Sequence, residues 1–132
     1  MVPMQPEIIL VVDDGPVVLK IVSTILANAG FRVLSAASPA EALATAGRHP
    51  APIRLLLSDV VMPGLRGPDF AEELAALHPE TEWLFMAGLA DTAEVSERIV
   101  GRGHAFLPKP FGARTLLAKV DEVLGRSAVA AC

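Results

Sequence analysis

Five short apolar runs, each closed by a turn or cap residue and each followed by a stretch with apolar side chains at helical spacing, constrain this chain most. The runs are residues 8–12, 32–36, 53–58, 83–86 and 104–107. After the first, Val18, Ile21, Val22, Ile25, Leu26 and Ala29 recur at helical spacing, with Gly30 as a C-terminal stop. Ser38 and Pro39 open a second helix to about Ala46, ended by Gly47 and Pro50. Gly67 and Pro68 open a third carrying Phe70, Leu74 and Leu77, stopped before Pro79. Asp91 caps a fourth, with Val95 and Ile99 inward. A fifth starts near Gly112 with Leu116, Leu117, Val120, Val123 and Leu124 on one face.

Strands that alternate strictly with helices and are nearly continuous in apolar residues imply a parallel sheet covered on both faces, because right-handed crossovers place the helices there. The expected fold class is therefore α/β, doubly wound. A composition that is 52% hydrophobic agrees, since a one-sided solvated sheet would be more polar. The run with Arg32 and Ser35 is the most polar and suits a sheet edge. At 132 residues the chain holds one domain, expected over 1–126, with 127–132 as a disordered tail.

Other classes are disfavoured. No apolar run approaches the roughly 20 residues that span a bilayer, and no secretory leader is visible, so membrane insertion is not expected and the predicted location is cytoplasmic. A net charge of -4 without a basic cluster argues against nucleic acid as a direct partner. The single cysteine, Cys132, permits no intramolecular disulfide. His49, His78 and His104 lack the spacing of a metal pair.

In doubly wound folds ligands bind beyond the carboxyl ends of the strands, so the residues there carry the chemistry. Asp13 and Asp14 follow the first run, Asp59 the third, Ala87 and Gly88 the fourth, and Lys109 closely follows the fifth. Each alone is an ordinary cap or solvated charge. Together, three carboxylates aimed at one edge are tolerable when a divalent cation sits among them, and hard oxygen donors suit Mg2+. A carboxylate beside such an ion can act as a nucleophile toward phosphorus, with the metal and Lys109 holding the phosphoryl oxygens.

The stretches Val11-Val12-Asp13-Asp14, Ser58-Asp59-Val60-Val61-Met62-Pro63-Gly64, Phe85-Met86-Ala87-Gly88 and Phe106-Leu107-Pro108-Lys109-Pro110-Phe111 resemble, in order and spacing, the motifs of response-regulator receiver domains. The resemblance covers residues from about Glu7 to Leu124. It implies a flavodoxin-like (βα)5 fold with five parallel strands ordered 2-1-3-4-5, and Asp59 as phosphoacceptor. It implies Mg2+ held by Asp13, Asp14, Asp59 and the Val61 carbonyl, with phosphoryl contacts from Lys109, the Ala87 backbone and Gly88. Ala87 and Phe106 would form the switch, Pro63, Gly64 and Pro110 would be structural, and the Lys109 to Pro110 bond would be cis. The partner implied is a histidine kinase or histidine phosphotransfer protein. The chain itself would be no enzyme, though within a hybrid sensor its parent would be a histidine kinase. A monomer or weak dimer is expected.

One position departs from the pattern. Receivers usually carry Ser or Thr where this chain has Ala87, and alanine cannot bond a phosphoryl oxygen. The expectation is transfer to Asp59 with weak linkage to Phe106. The alternative is a degenerate receiver that binds partners without phosphate-driven switching. Val61 and Leu89 flank the site where polar side chains would orient water, which implies a slowly hydrolysed acyl phosphate. An aspartate-nucleophile phosphatase is disfavoured, because it needs Asp-x-Asp after the first strand. In the first helix Val17 and Leu19 are left over once the inward stripe is filled, either as a docking face or with Leu19 buried.

Overall fold

The computed structural model describes residues 7–48, 52–59, 76, 80–88, 105–109 and 111–125; for 87 and 88 it describes the main chain. Five strands form one sheet: β1 (Ile8–Val12), β2 (Arg32–Ala36), β3 (Leu55–Asp59), β4 (Glu82–Gly88) and β5 (Ala105–Lys109), ordered β2-β1-β3-β4-β5. Every neighbouring pair is parallel. The three helices among the described residues are α1 (Pro16–Asn28), α2 (Pro39–Arg48) and the C-terminal α3 (Ala113–Val123). The third and fourth helices expected from the sequence, over 67–79 and 91–101, fall outside the described residues, Ala76 excepted.

The strands form because their side chains fill both faces of the sheet. Along β1, Ile8, Leu10 and Val12 enter one core with Ala42 and Ala46 of α2, while Ile9 and Val11 enter a second core with α1 and α3. β3 divides likewise, Leu56 on the α2 side and Leu55 and Leu57 on the other. Alternation with period two therefore has a core to fill on either side, which is why these runs read as unbroken apolar stretches. β2 is one edge, with Arg32 and Ser35 exposed. β5 is the other, and an edge strand is where a proline such as Pro108 is tolerated.

Helix α1 ends in a Schellman motif. Phe31 N–H donates to the Leu26 carbonyl and Gly30 N–H to that of Ala27, both at 3.1 Å, with Gly30 at φ 102° supplying the left-handed turn. At the start of α2 the Ser38 hydroxyl accepts the Glu41 N–H at 3.1 Å, a side-chain cap. At the opposite end of the sheet from the strand carboxyl ends, Arg54 pairs with Glu7 at 2.9 Å and donates to the Leu124 carbonyl at 3.3 Å. That one guanidinium ties the start of β1 to the end of α3.

Several expectations need correcting. β3, β4 and β5 each run farther than their apolar runs, so that Asp59, Ala87, Gly88 and Lys109 belong to the strands; pairing with neighbours carries the ladder past the last apolar residue. Gly47 lies inside α2 and does not end it. On α1, Ile21 is 53% exposed although the spacing placed it inward, and Ala29 is exposed too. Of the two residues left over from that stripe, Leu19 packs against the core, one of the two outcomes the sequence left open, and Val17 stays 68% exposed. The sheet meets a face of α1 centred on Val22 and Leu26, rotated from the stripe that spacing alone selects.

Candidate functional site

The alternation that builds the sheet also builds the site. Asp13 continues the row Ile9 and Val11, Asp59 the row Leu55 and Leu57, and Lys109 follows Leu107, all on the α1 and α3 side. The adjacent rows of β1 and β3, and that of β5 beyond β4, thus end in charged residues at the same rim. The Asp13 main chain is fixed there by its N–H bond to the Ala36 carbonyl, 3.2 Å away on the edge strand.

Lys109 joins the rows. Its Nζ donates to Asp13 Oδ2 at 2.7 Å and to Asp59 Oδ2 at 3.1 Å. Asp13 is 2% exposed and Asp59 6%, so the ammonium is a shared counterion for two buried carboxylates. Burial pulls the Lys109 pKa down, but the hydrogen bond and charge of Asp13, together with those of Asp59, outweigh it and hold the group above its ordinary value. The other Asp13 oxygen, Oδ1, accepts the Gly15 N–H at 2.8 Å. The buried Ser58 hydroxyl donates to the Asp59 carbonyl at 2.9 Å and holds the peptide that follows the carboxylate.

Asp14 completes the group from an exposed position. One carboxylate oxygen each from Asp13, Asp14 and Asp59 lie within 4.8 Å of one another. Three carboxylates against one ammonium leave two negative charges in a space the size of a coordination sphere. That donor set fits a divalent cation taking hard oxygen ligands, with Asp14 facing solvent and Asp13 Oδ2 able to exchange its ammonium for the ion.

The structure therefore brings Asp13, Asp14, Asp59 and Lys109 together. Gly88 stands opposite Lys109 in the β4 to β5 ladder and Ala87 opposite Pro108, so their main chains lie at the same end of the sheet. Phe106 lies elsewhere: it is half-buried, opposite Phe85, and packs against the α2-side core. Val61, Pro63, Gly64 and Pro110 fall outside the described residues, as does Leu89. Reading the sequence did not single out Gly15 or Ser58. The signal for Gly15 was present, since an aspartate two residues before an N–H, just ahead of a helix-opening proline, forms a local Asx turn.

Comparison with known proteins identifies the family and agrees with the fold. Residues 9–121 match the response regulator receiver domain family. The sensor kinase CckA of Brucella abortus is 34% identical over 116 residues, which cover 88% of this chain and 12% of that protein. The probable transcriptional regulator ycf27 of Porphyridium aerugineum is 35% identical over 127 residues, covering 93% of this chain and 50% of that protein. This chain thus spans half or less of either relative. Among solved structures, the receiver domain of the hybrid histidine kinase CckA superposes with a TM-score of 0.73 at 32% identity, covering 89% of this chain and 98% of that one. Chemotaxis protein CheY4 of Vibrio cholerae gives 0.77 at 30% identity with the same coverage. With the family matched over most of its length and the parallel 2-1-3-4-5 sheet in place, the chain belongs to the response regulator receiver domains of two-component systems.

Proposed function

We propose that the chain accepts a phosphoryl group on Asp59 from a phosphohistidine of a histidine kinase or phosphotransfer protein, and relays it or changes what its surface binds. The observation that carries this reading is the Lys109 ammonium shared between Asp13 and Asp59, with Asp14 beside them. In the transfer an Asp59 carboxylate oxygen bonds to phosphorus, the bond from phosphorus to imidazole nitrogen breaks, and its electron pair stays on the imidazole. Lys109 then turns from a carboxylate to a phosphoryl oxygen, for which its stem already reaches the site. Mg2+ would be held by Asp13, Asp14, Asp59 and the Val61 carbonyl, and supplies positive charge to the transferring oxygens. The domain extends over 1–126 in this reading. Incubation with acetyl phosphate and Mg2+ is expected to label the protein, and chelation by EDTA to prevent it; absence of label with Mg2+ present would refute the reading.

The donor has to bring its histidine over this rim. The apolar surface next to it is a groove of about 240 Å3 lined by Val18, Ile21, Val22, Phe111 and the Lys109 stem, with exposed Val17 and Ile21 on the same helix. A helical phosphodonor would set its apolar face there. No helix among the described residues is long and apolar enough to cross a membrane, and a cytoplasmic donor is the partner this reading requires.

Ala87 limits the response to phosphorylation. A hydroxyl at that position would add a charge-assisted bond of roughly 1.5–3 kcal/mol, the size of a typical allosteric coupling of about 1–3 kcal/mol. Ala87→Ser is therefore expected to enlarge the change in NMR spectra around Phe106 when beryllofluoride binds, relative to a small change in the native protein. A large native response that the substitution leaves unaltered would contradict weak coupling.

A further inference from the structure

Ser58 is wholly buried in a place where alternation calls for an apolar side chain. It shares the α2 side of β3 with Leu56, and its neighbours across the sheet are Val12 and Phe85, both part of that apolar core. The other buried polar side chains among the described residues have evident uses. Asp13 and Asp59 belong to the site, and the Thr81 hydroxyl donates to the Ile53 carbonyl at 2.6 Å, where the lead-ins to β3 and β4 meet. A hydroxyl in such a core costs free energy unless it is bonded, and that of Ser58 is bonded to the Asp59 carbonyl at 2.9 Å.

The bond lies where the strand is about to end. β1 pairs with β3 as far as Ser58, and Asp59 pairs with Met86 of β4. The ladder with β1 thus stops one residue short of Asp59, where the Ser58 hydroxyl supplies a further hold on the main chain. Asp59 is therefore gripped from both faces of the sheet, its carboxylate by Lys109 on one and its carbonyl by Ser58 on the other.

We propose that Ser58 is a positioning residue for phosphoryl acceptance: its hydroxyl fixes the Asp59 peptide from the far face of the sheet, and through it the line along which the carboxylate meets phosphorus. This rests on the reading of Asp59 as the acceptor. Phosphoryl transfer asks the protein mainly for alignment and charge, so a nucleophile that wanders loses rate. The Lys109 hold on the carboxylate is given up when the ammonium turns to a phosphoryl oxygen. The Ser58 hold lies on the opposite face and is untouched by the incoming group.

Threonine and valine at position 58 test this as a matched pair. Both add the same methyl group, so any crowding against Val12 and Phe85 is common to them and only the hydroxyl differs. The full chain and its Ser58→Ala, Ser58→Thr and Ser58→Val variants are incubated with one concentration of acetyl phosphate and saturating Mg2+, well below their thermal midpoints. Intact mass gives the initial rate of phosphorylation. A misplacement of about 1 Å can cost up to about 100-fold, and a fall of about tenfold is expected in Ser58→Ala and Ser58→Val, with Ser58→Thr within about twofold of native. In NMR spectra of the unphosphorylated proteins the Asp59 main-chain carbonyl carbon should shift in Ser58→Ala and Ser58→Val and stay near its native position in Ser58→Thr. Equal rates in Ser58→Val and Ser58→Thr, whether fast or slow, would assign position 58 to packing and overturn the proposal. A native rate in Ser58→Ala would overturn it as well. A native protein that takes no label would overturn the reading of Asp59 itself, whereas native labelling with equal rates in every variant removes only the role of Ser58.

Discussion

Replacing Lys109 with methionine is expected to lower the stability of the metal-free protein by about 3–5 kcal/mol at neutral pH, the cost of stripping a buried charge of its partner. Asp13 and Asp59 are almost fully buried, and the ammonium at 2.7 Å and 3.1 Å is their common counterion. Methionine keeps much of the stem that lines the groove with Val18, Val22 and Phe111, so the loss reports charge more than packing. The pH dependence has a definite sign. A lysine whose folded pKa is raised contributes stability that is complete below its unfolded value and disappears as pH climbs through the folded one. Urea unfolding curves of the native and substituted proteins should therefore lie far apart at neutral pH and converge above the ordinary lysine range. Mg2+ should stabilise the variant more than the native protein, since it no longer competes with an ammonium for Asp13 Oδ2. A loss below about 1 kcal/mol, the range of an exposed pair, would mean that water already solvates the two carboxylates.

Asp59→Asn is expected to reduce labelling by acetyl phosphate to background. The amide has the shape of the carboxylate and still offers Lys109 an acceptor, but its oxygen is a poor nucleophile and forms no acyl phosphate. The fold should persist, because the substitution removes one of three like charges from a crowded rim. Unfolding measured beside labelling separates the two effects: full stability with no label supports Asp59 as acceptor. Undiminished labelling of the variant would assign the phosphate to another residue.

The sequence showed much of this and hid the rest for identifiable reasons. β1 and β2 ended where they were expected because their last apolar residues, Val12 and Ala36, are also the last that pair. β3, β4 and β5 continued through Asp59, Gly88 and Lys109 because parallel pairing is decided by the neighbouring strand, which a single run of residues does not display. α1 is apolar over so much of its circumference that two stripes satisfy helical spacing. Packing against the sheet and α3 selected the one that buries Leu19 in part and leaves Ile21 outside. At the site, position at a strand end was enough to nominate Asp13, Asp14, Asp59 and Lys109. That one ammonium bridges carboxylates 96 and 50 residues away is a property of the folded rim, where three strand rows meet. Gly15 escaped notice because what it contributes is a main-chain N–H, which the residue type does not display; the spacing from Asp13 was the signal available.

Reductive trapping with borohydride offers the most direct test, because it converts an acyl phosphate on aspartate into a stable alcohol that peptide mass spectrometry can place. After incubation with acetyl phosphate, the reduced residue is predicted to be at position 59, to require Mg2+, and to vanish in Asp14→Asn, which leaves the Lys109 pairs intact. Reduction at Asp13, Asp14 or any other carboxylate, or reduction at Asp59 that is indifferent to Mg2+, would contradict the account.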